Sequence, residues 1–434
     1  MELKKFSNLY TNFLQGLILF LIIFIPYREV LSYYTTSSVK ALPDLFILLL
    51  FIMYVIKNKF RLKFNSIDFA YIAFLLVAFV STVILNKVGI KSYILEARSI
   101  VLYYILYFMV RNTKLSDNFY ELFSKIVFCN TILLVLLSII EKVSNKIFLF
   151  PLKWAESIIY ADNFVRAYGM FNNPNTYAAY LLFAIIIMFY FEHVLNFNIN
   201  RLFYIFSISG IVLTASRSTM ISLGLFIIFA LIVYRKKDIL ITFGSSILIS
   251  LIIIFSINNF NVYYTKNFMN DQSKINDILK NTNSAANRFN ELTDDEILDK
   301  SGSDGRVYSV RTGIKIFRDY PILGTGFGTY GDAASLIIQP NLYKTYNIRK
   351  DFYADNEYIK VLVETGALGT VLYLVFLGAI LFKYKKNSYK ILSCIILGFL
   401  GLFYNIFEIQ ILSFLFWFLL SLPESNTKLI NNRY

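Results

Sequence analysis

Apolar runs long enough to cross a bilayer recur along nearly the whole chain, and they decide what it can fold into. A hydrocarbon core of ~30 Å offers the backbone no water, so runs of ~18 apolar residues cross it as helices that satisfy their own amides. Such segments, three of them short, fall at about 9–26, 42–56, 67–85, 93–110, 119–140, 176–191, 202–214, 216–234, 239–257, 357–382, 389–405 and 406–422. They predict an all-α integral membrane protein of about 12 transmembrane helices, a single polytopic domain over 1–434. A chain that is 57% hydrophobic with a mean hydropathy of +0.58 is not a soluble globular domain. The first run is too long for a cleaved signal peptide, and Ile25-Pro26-Tyr27-Arg28 offers no small-residue cleavage site.

The net charge of +14 would suggest nucleic acid in a soluble protein, but its placement explains it differently. Lys57, Lys59, Arg61 and Lys63, then Arg111 and Lys114, Arg201, Arg235 to Lys237, and Lys383 to Lys390 alternate in order with poorly charged loops. That is the positive-inside pattern, which predicts cytoplasmic termini and two outward segments, 141–175 and 258–356. The larger one is expected to be partly helical and to cap an active-site cavity.

Cys129 and Cys394 lie within apolar runs and read as small hydrophobes. His193, the single histidine, falls at the cytoplasmic end of the sixth run and reads as an interfacial side chain. The outer face therefore has neither histidine nor cysteine, which excludes zinc sites, Cys–His nucleophiles and Ser–His–Asp triads there. Proton transfer on that side is left to carboxylates, lysine or tyrosine. No calcium-loop spacing occurs, and the acidic run Asp294-Asp295-Glu296 reads as a solvated face, so no metal and no cofactor is expected.

Within the larger outer segment, 258–302 is polar and weakly patterned. From Ser303 the pattern turns helical, with Asp304 a possible cap, Val307, Val310, Ile314 and Phe317 at helical spacing, and Arg311, Lys315 and Arg318 on the adjoining face. Pro321 ends this helix, and Gly324-Thr325-Gly326-Phe327-Gly328 follows as a turn that neither trails a strand nor opens a helix, so it is not a dinucleotide fingerprint.

Arginine at a membrane boundary either pairs or lines a polar cavity. Arg98, Arg166, Arg217, Arg306, Arg311 and Arg318 all fall on the outer side. Each has a bland reading, pairing with Glu96, Asp162, Asp319 or a helix end. The sharper reading is a diphosphate site, since guanidinium forks match phosphate oxygens. Arg217 sits in the tight hairpin Thr214-Ala215-Ser216-Arg217-Ser218, which leaves it little room to move away. Asp355 opens the next apolar helix as either a base or an N-cap, with Asn356 beside it. Glu357 suits a first helical turn, and Glu364 has Lys360 at i−4 as a partner.

Three segments in this order resemble the O-antigen ligase/polymerase superfamily of multi-pass membrane glycosyltransferases. Arg166-x-x-Gly169-x-x-Asn172-Asn173-Pro174-Asn175 is similar to the family's stretch before a span, and Leu213-Thr214-Ala215-Ser216-Arg217 to its hairpin. Gly305-Arg306, Asp319-Tyr320-Pro321 through Gly328, and Asp355-Asn356-Glu357-Tyr358 with Glu364-x-Gly366-x-x-Gly369 resemble its loop helix, glycine turn and closing motif. Ligases of the family carry a catalytic histidine where this chain has Asp355, so the resemblance tips toward the repeat-unit polymerases (Wzy-type), which vary more there.

The resemblance implies transfer of a growing glycan from undecaprenyl diphosphate to a new lipid-linked repeat unit, as in O-antigen or capsule synthesis at a bacterial inner membrane. Asp355, Arg217 and Arg166 would be catalytic, and Arg311, Arg306, Arg98, Arg318, Asn356 and Asn175 would bind substrate. The implied partners are the undecaprenyl-diphosphate-linked oligosaccharide, membrane lipid, and a flippase and chain-length regulator of the same pathway, with no nucleic acid. A glycan ligase and a lipid-linked glycan transporter are the alternatives. The transporter is disfavoured because no internal repeat is visible.

Overall fold

The computed structural model describes residues 2–149, 151–159, 165–235, 237–268 and 305–424. Among them every regular element is helical. In chain order these are α1 (Glu2–Tyr34), α2 (Leu42–Lys57), α3 (Ser66–Phe79), α4 (Ile90–Arg111), α5 (Asp117–Val143), α6 (Leu152–Ile159), α7 (Pro174–His193) and α8 (Leu202–Leu213). They continue as α9 (Arg217–Tyr234), α10 (Lys237–Phe268), α11 (Arg306–Asp319), α12 (Ala333–Ile338), α13 (Asn341–Thr345), α14 (Glu357–Lys383), α15 (Ser388–Gly401) and α16 (Gln410–Ser421).

Among the described residues eight helices are long and apolar enough to cross a membrane: α1, α2, α3 with its π-helical continuation to Leu85, α4, α5, α7, α10 and α14. The remaining four apolar runs are also helical but shorter: Leu202–Leu213, Arg217–Val233, Ser388–Gly401 and Gln410–Ser421. A 12-residue helix such as α8 or α16 rises only ~18 Å, less than the ~30 Å hydrocarbon core. The chain is thus an α-helical multi-pass membrane protein, with eight helices of spanning length among the described residues. Continuous apolar composition hid the interruptions. The run expected to break only at Asn405 and Glu408, for example, is non-helical between α15 and α16.

The chain divides into two compact units, each built from separate stretches of sequence. The first comprises Met1–Lys57, Thr113–Leu292 and Ser421–Tyr434; the second comprises Asn58–Asn112 and Thr293–Leu420.

In the first unit α8 packs against α5, α7 and α10. Gly210 makes this close: a methyl group there would sit 2.7 Å from Leu181 and 2.9 Å from Val135. Its neighbour α7 is buried on every side from Tyr177 to Phe191, as a helix apolar all round must be. Trp154 of α6 closes a cluster with Val30, Leu149, Ala155, Ile158 and Tyr168.

The second unit is organised by α14, which packs against α3 and α11. Its N-cap is Asn356, whose Oδ1 accepts hydrogen bonds from Tyr358 N (3.1 Å) and Ile359 N (3.0 Å). The expected helix from Ser303 is α11, which starts at Arg306 with Gly305 as its cap residue; Asp304 lies outside the described residues. Its buried face is Ser309, Gly313 and Ile316 rather than the larger apolar set, because Gly313 lets α11 press onto Ile359 and Val363. Arg311, Lys315 and Arg318 are exposed, as their spacing predicts.

The polar segment read as beginning at 258 starts inside α10, which runs on to Phe268. The acidic run Asp294-Asp295-Glu296 and Asp162 lie outside the described residues.

Candidate functional site

Two buried polar networks hold the residues singled out by the motifs, one in each unit. In the first unit, Arg166 is almost fully buried and its guanidinium is tied to the protein itself. Nε donates to the Thr214 carbonyl at 2.6 Å and Nη2 to Asn175 Oδ1 at 2.5 Å. These bonds, with Ala167 N to Leu213 O at 3.1 Å, fasten the Arg166–Asn175 segment to the 213–217 hairpin. Two motifs separate in sequence are therefore one structural feature. Asn173 caps α7 by accepting from Asn175 N. Ala215 takes a left-handed φ of 50°, which turns the chain so that Arg217, half-buried, opens α9.

Beneath this junction lie three charged side chains of α5 and its exit that were not weighed as site residues. The Glu141 carboxylate accepts from Tyr168 N twice (2.9 Å each) and from Gly169 N at 2.9 Å, and it pairs with Lys146. Lys146 Nζ also donates to the Arg166 carbonyl at 2.8 Å, and Lys142 Nζ to the Val165 carbonyl at 3.0 Å. The available signal was charge at the end of an apolar run, which membranes tolerate only when paired or cavity-facing.

In the second unit, the glycine turn docks where α14 breaks. Gly366 has φ 62° and ψ −165°, interrupting the helix, and the freed carbonyls of Val363 and Glu364 accept from Thr325 N (2.9 Å) and Gly326 N (2.8 Å). In return Ala367 N and Leu368 N donate to the Pro321 and Ile322 carbonyls. The π-helical turn after α3 holds the other side: Thr82 Oγ1 accepts from Phe327 N at 2.7 Å, and Asn86 Nδ2 donates to the Gly324 carbonyl at 3.0 Å.

Asp355 precedes the Asn356 cap with a left-handed φ of 49°, a conformation aspartate tolerates better than most residues. The cap belongs to Asn356, so the capping reading of Asp355 is not what the structure has. Asn356 Nδ2 is further committed to the Leu402 carbonyl at 3.1 Å. Burial pushes the Asp355 carboxyl above its usual range; the Arg306 charge pulls it back and Glu408 pushes it up again. Arg306 lies over the Phe403 ring (5.5 Å) and the Tyr404 ring (5.9 Å) and donates from Nη2 to the Phe403 carbonyl at 3.3 Å. Its Nε is buried with no hydrogen-bond partner.

Behind Asp355 stands Lys360, buried on α14. It was expected to pair with Glu364, but its Nζ lies 2.9 Å from both Glu96 and Glu408 and 3.7 Å from Glu357. Glu364 instead accepts from Thr329 N (2.8 Å) and Tyr330 N (3.1 Å). Glu408 bridges onward, accepting from Tyr353 OH at 2.9 Å and Ala333 N at 3.0 Å. A cavity of about 20 Å³ borders Glu96, Glu357 and Lys360, with aromatic walls from Tyr71, Phe74 and Tyr373. Glu96, Asp332 and Glu364 each direct one oxygen to a point where all three lie within 4.8 Å of one another.

Arg306, Asp355 and Asn356 are thus neighbours in one network, while Arg311 and Arg318 are exposed on α11 and Arg98 is exposed on α4. Asp319, a suggested arginine partner, accepts from Tyr346 OH.

Residues 202–374 match the family described as O-Antigen ligase. The match covers less than half of the chain and is in keeping with the motif resemblance. The match includes the hairpin, the glycine turn and the closing motif; the Arg166–Asn175 segment precedes it. No curated protein matches the chain.

Proposed function

We propose that this protein is a membrane glycosyltransferase that polymerises lipid-linked polysaccharide repeat units, taking the growing glycan from undecaprenyl diphosphate. The observation that carries the reading is Asp355. It stands where the resembling ligases have histidine, it is relieved of capping by Asn356, and it is under the charge of an arginine with an unspent Nε.

In this reading the acceptor sugar's hydroxyl oxygen bonds to the anomeric carbon, and the carbon–oxygen bond to the lipid diphosphate breaks, the leaving group keeping the electron pair. Asp355 takes the hydroxyl proton. Fixed cations favour the departing diphosphate, and Arg306, whose charge acts on Asp355, is the candidate in the second unit. Arg217 of the first unit is a separate candidate for phosphate binding. Arg166, already bound to Thr214 and Asn175, contributes by fixing the hairpin that carries Arg217. The active site would face outward from a bacterial inner membrane with both chain termini cytoplasmic, fed by a flippase and paced by a chain-length regulator.

The test is incubation of purified full-length protein in liposomes with a synthetic undecaprenyl-diphosphate repeat unit. A ladder of products supports polymerisation. Transfer only of preformed polymer to a second acceptor would instead make the protein a ligase, the reading that the family description favours. Movement of the lipid-linked unit without elongation would make it a transporter.

A further inference from the structure

We propose that Glu96, Asp332 and Glu364 bind one divalent cation of the oxygen-seeking class: magnesium, manganese or calcium. This goes beyond the glycosyl-transfer reading and does not rest on it. The three side chains come from α4, from the turn before α12 and from α14, and each is at most 1% exposed.

Each carboxylate has one oxygen engaged and one to spare. Glu96 Oε1 accepts from Lys360, Asp332 Oδ1 from Ser335 N, and Glu364 Oε1 from Thr329 N and Tyr330 N. Glu96 Oε2, Asp332 Oδ2 and Glu364 Oε2 are buried with no hydrogen-bond partner. A buried carboxylate oxygen without a partner is costly, and these three carboxylates each bring an oxygen within 4.8 Å of the other two.

A shared proton between Asp332 and Glu364 is the simplest rival, but it would leave the third oxygen, Glu96 Oε2, unsatisfied. Lys360 cannot neutralise the group, since it is already divided among Glu96, Glu408 and Glu357. A single hard cation answers all three oxygens at once. Such ions take oxygen ligands at roughly 2.0–2.6 Å, so opposed ligands lie ~4–5 Å apart, which matches the 4.8 Å limit on this set. A cavity of about 20 Å³ with room for roughly one water borders Glu96.

The experiment titrates chelator-treated full-length protein in detergent with manganese chloride alone, read by calorimetry and by the manganese electron paramagnetic resonance signal. One ion per chain is expected, displaced by magnesium or calcium, with a rise in Tm on binding. Asp332→Asn keeps the Oδ1 acceptor that caps α12 but removes a charged ligand, so it should fold and bind about ten-fold more weakly or worse. Absence of saturable binding by the wild-type protein at millimolar ion overturns the proposal, whatever the variants do. So does binding undiminished in both Asp332→Asn and Glu96→Gln.

Discussion

Gly324 and Gly366 meet backbone to backbone: a methyl group built on either would lie 2.5 Å from the other's amide nitrogen. Both have positive φ, 68° and 62°, so neither position accepts a side chain by conformation or by space. Gly324→Ala or Gly366→Ala should each destabilise by about 3 kcal/mol, from the strained φ plus overpacking. Thermal unfolding in detergent checks this, and a Tm within error of wild type for both would refute the packing argument.

Asp355 and Asn356 divide two tasks that their position in the sequence confuses. Asp355→Asn should abolish polymer while leaving Tm near wild type, because the cap is untouched. Asn356→Ala should cost about 1 kcal/mol of stability through loss of the cap. Full-length polysaccharide from Asp355→Asn in a complemented deletion strain would remove Asp355 from the mechanism.

A base works only when deprotonated, and burial raises the Asp355 carboxyl, so activity should fall away on the acid side above the usual aspartate range. Arg306 opposes that rise and Glu408 adds to it. Arg306→Gln should therefore move the acid limb of the rate profile to higher pH, and Glu408→Gln should move it lower. Initial rates across pH with the synthetic donor decide. Limbs that stay fixed in both variants would detach Asp355 from the titration.

Arg166 and Arg217 should part company. Arg166→Lys cannot reproduce two bonds in divergent directions, to Thr214 O and Asn175 Oδ1, so it should lower Tm along with activity. Arg217→Ala should lose polymer. A normal product ladder from Arg217→Ala would eliminate it as a phosphate ligand.

Removing Glu141 leaves Lys146 buried without its counter-charge. Glu141→Ala should cost about 3–5 kcal/mol, whereas changing the exposed pair Glu121–Lys125 should cost under about 1 kcal/mol. Comparing the two Tm losses measures the difference directly, and equal losses would contradict it.

What the sequence discloses is periodic or local. Apolar runs locate the helices, Pro321 and the Gly324–Gly328 turn end α11 where they should, and the ordered motifs mark the residues around Arg217 and Asp355. Helix length was less legible, because α15 and α16 lie in apolar surroundings that continue past their ends. The buried networks were not legible at all. Lys360 reaches Glu96 across 264 positions and Glu408 across 48, and a local rule that pairs it with Glu364 has no access to either. The face of α11 was misjudged for a related reason. Side-chain size favoured Val307 and Ile314, but close packing against Ile359 favoured a glycine.

The hydrogen bonds from Glu141, Lys142 and Lys146 described above end on main-chain amides and carbonyls of residues 165–169, and Lys146 also lies 4.9 Å over the Tyr168 ring. The side chains of Arg166, Ala167 and Tyr168 are buried as well, so this segment is held both by its backbone and by its packing. It has little latitude to vary alone. A graft of the Arg166–Asn175 motif from a relative would have to bring Glu141, Lys142 and Lys146 with it to keep its seat.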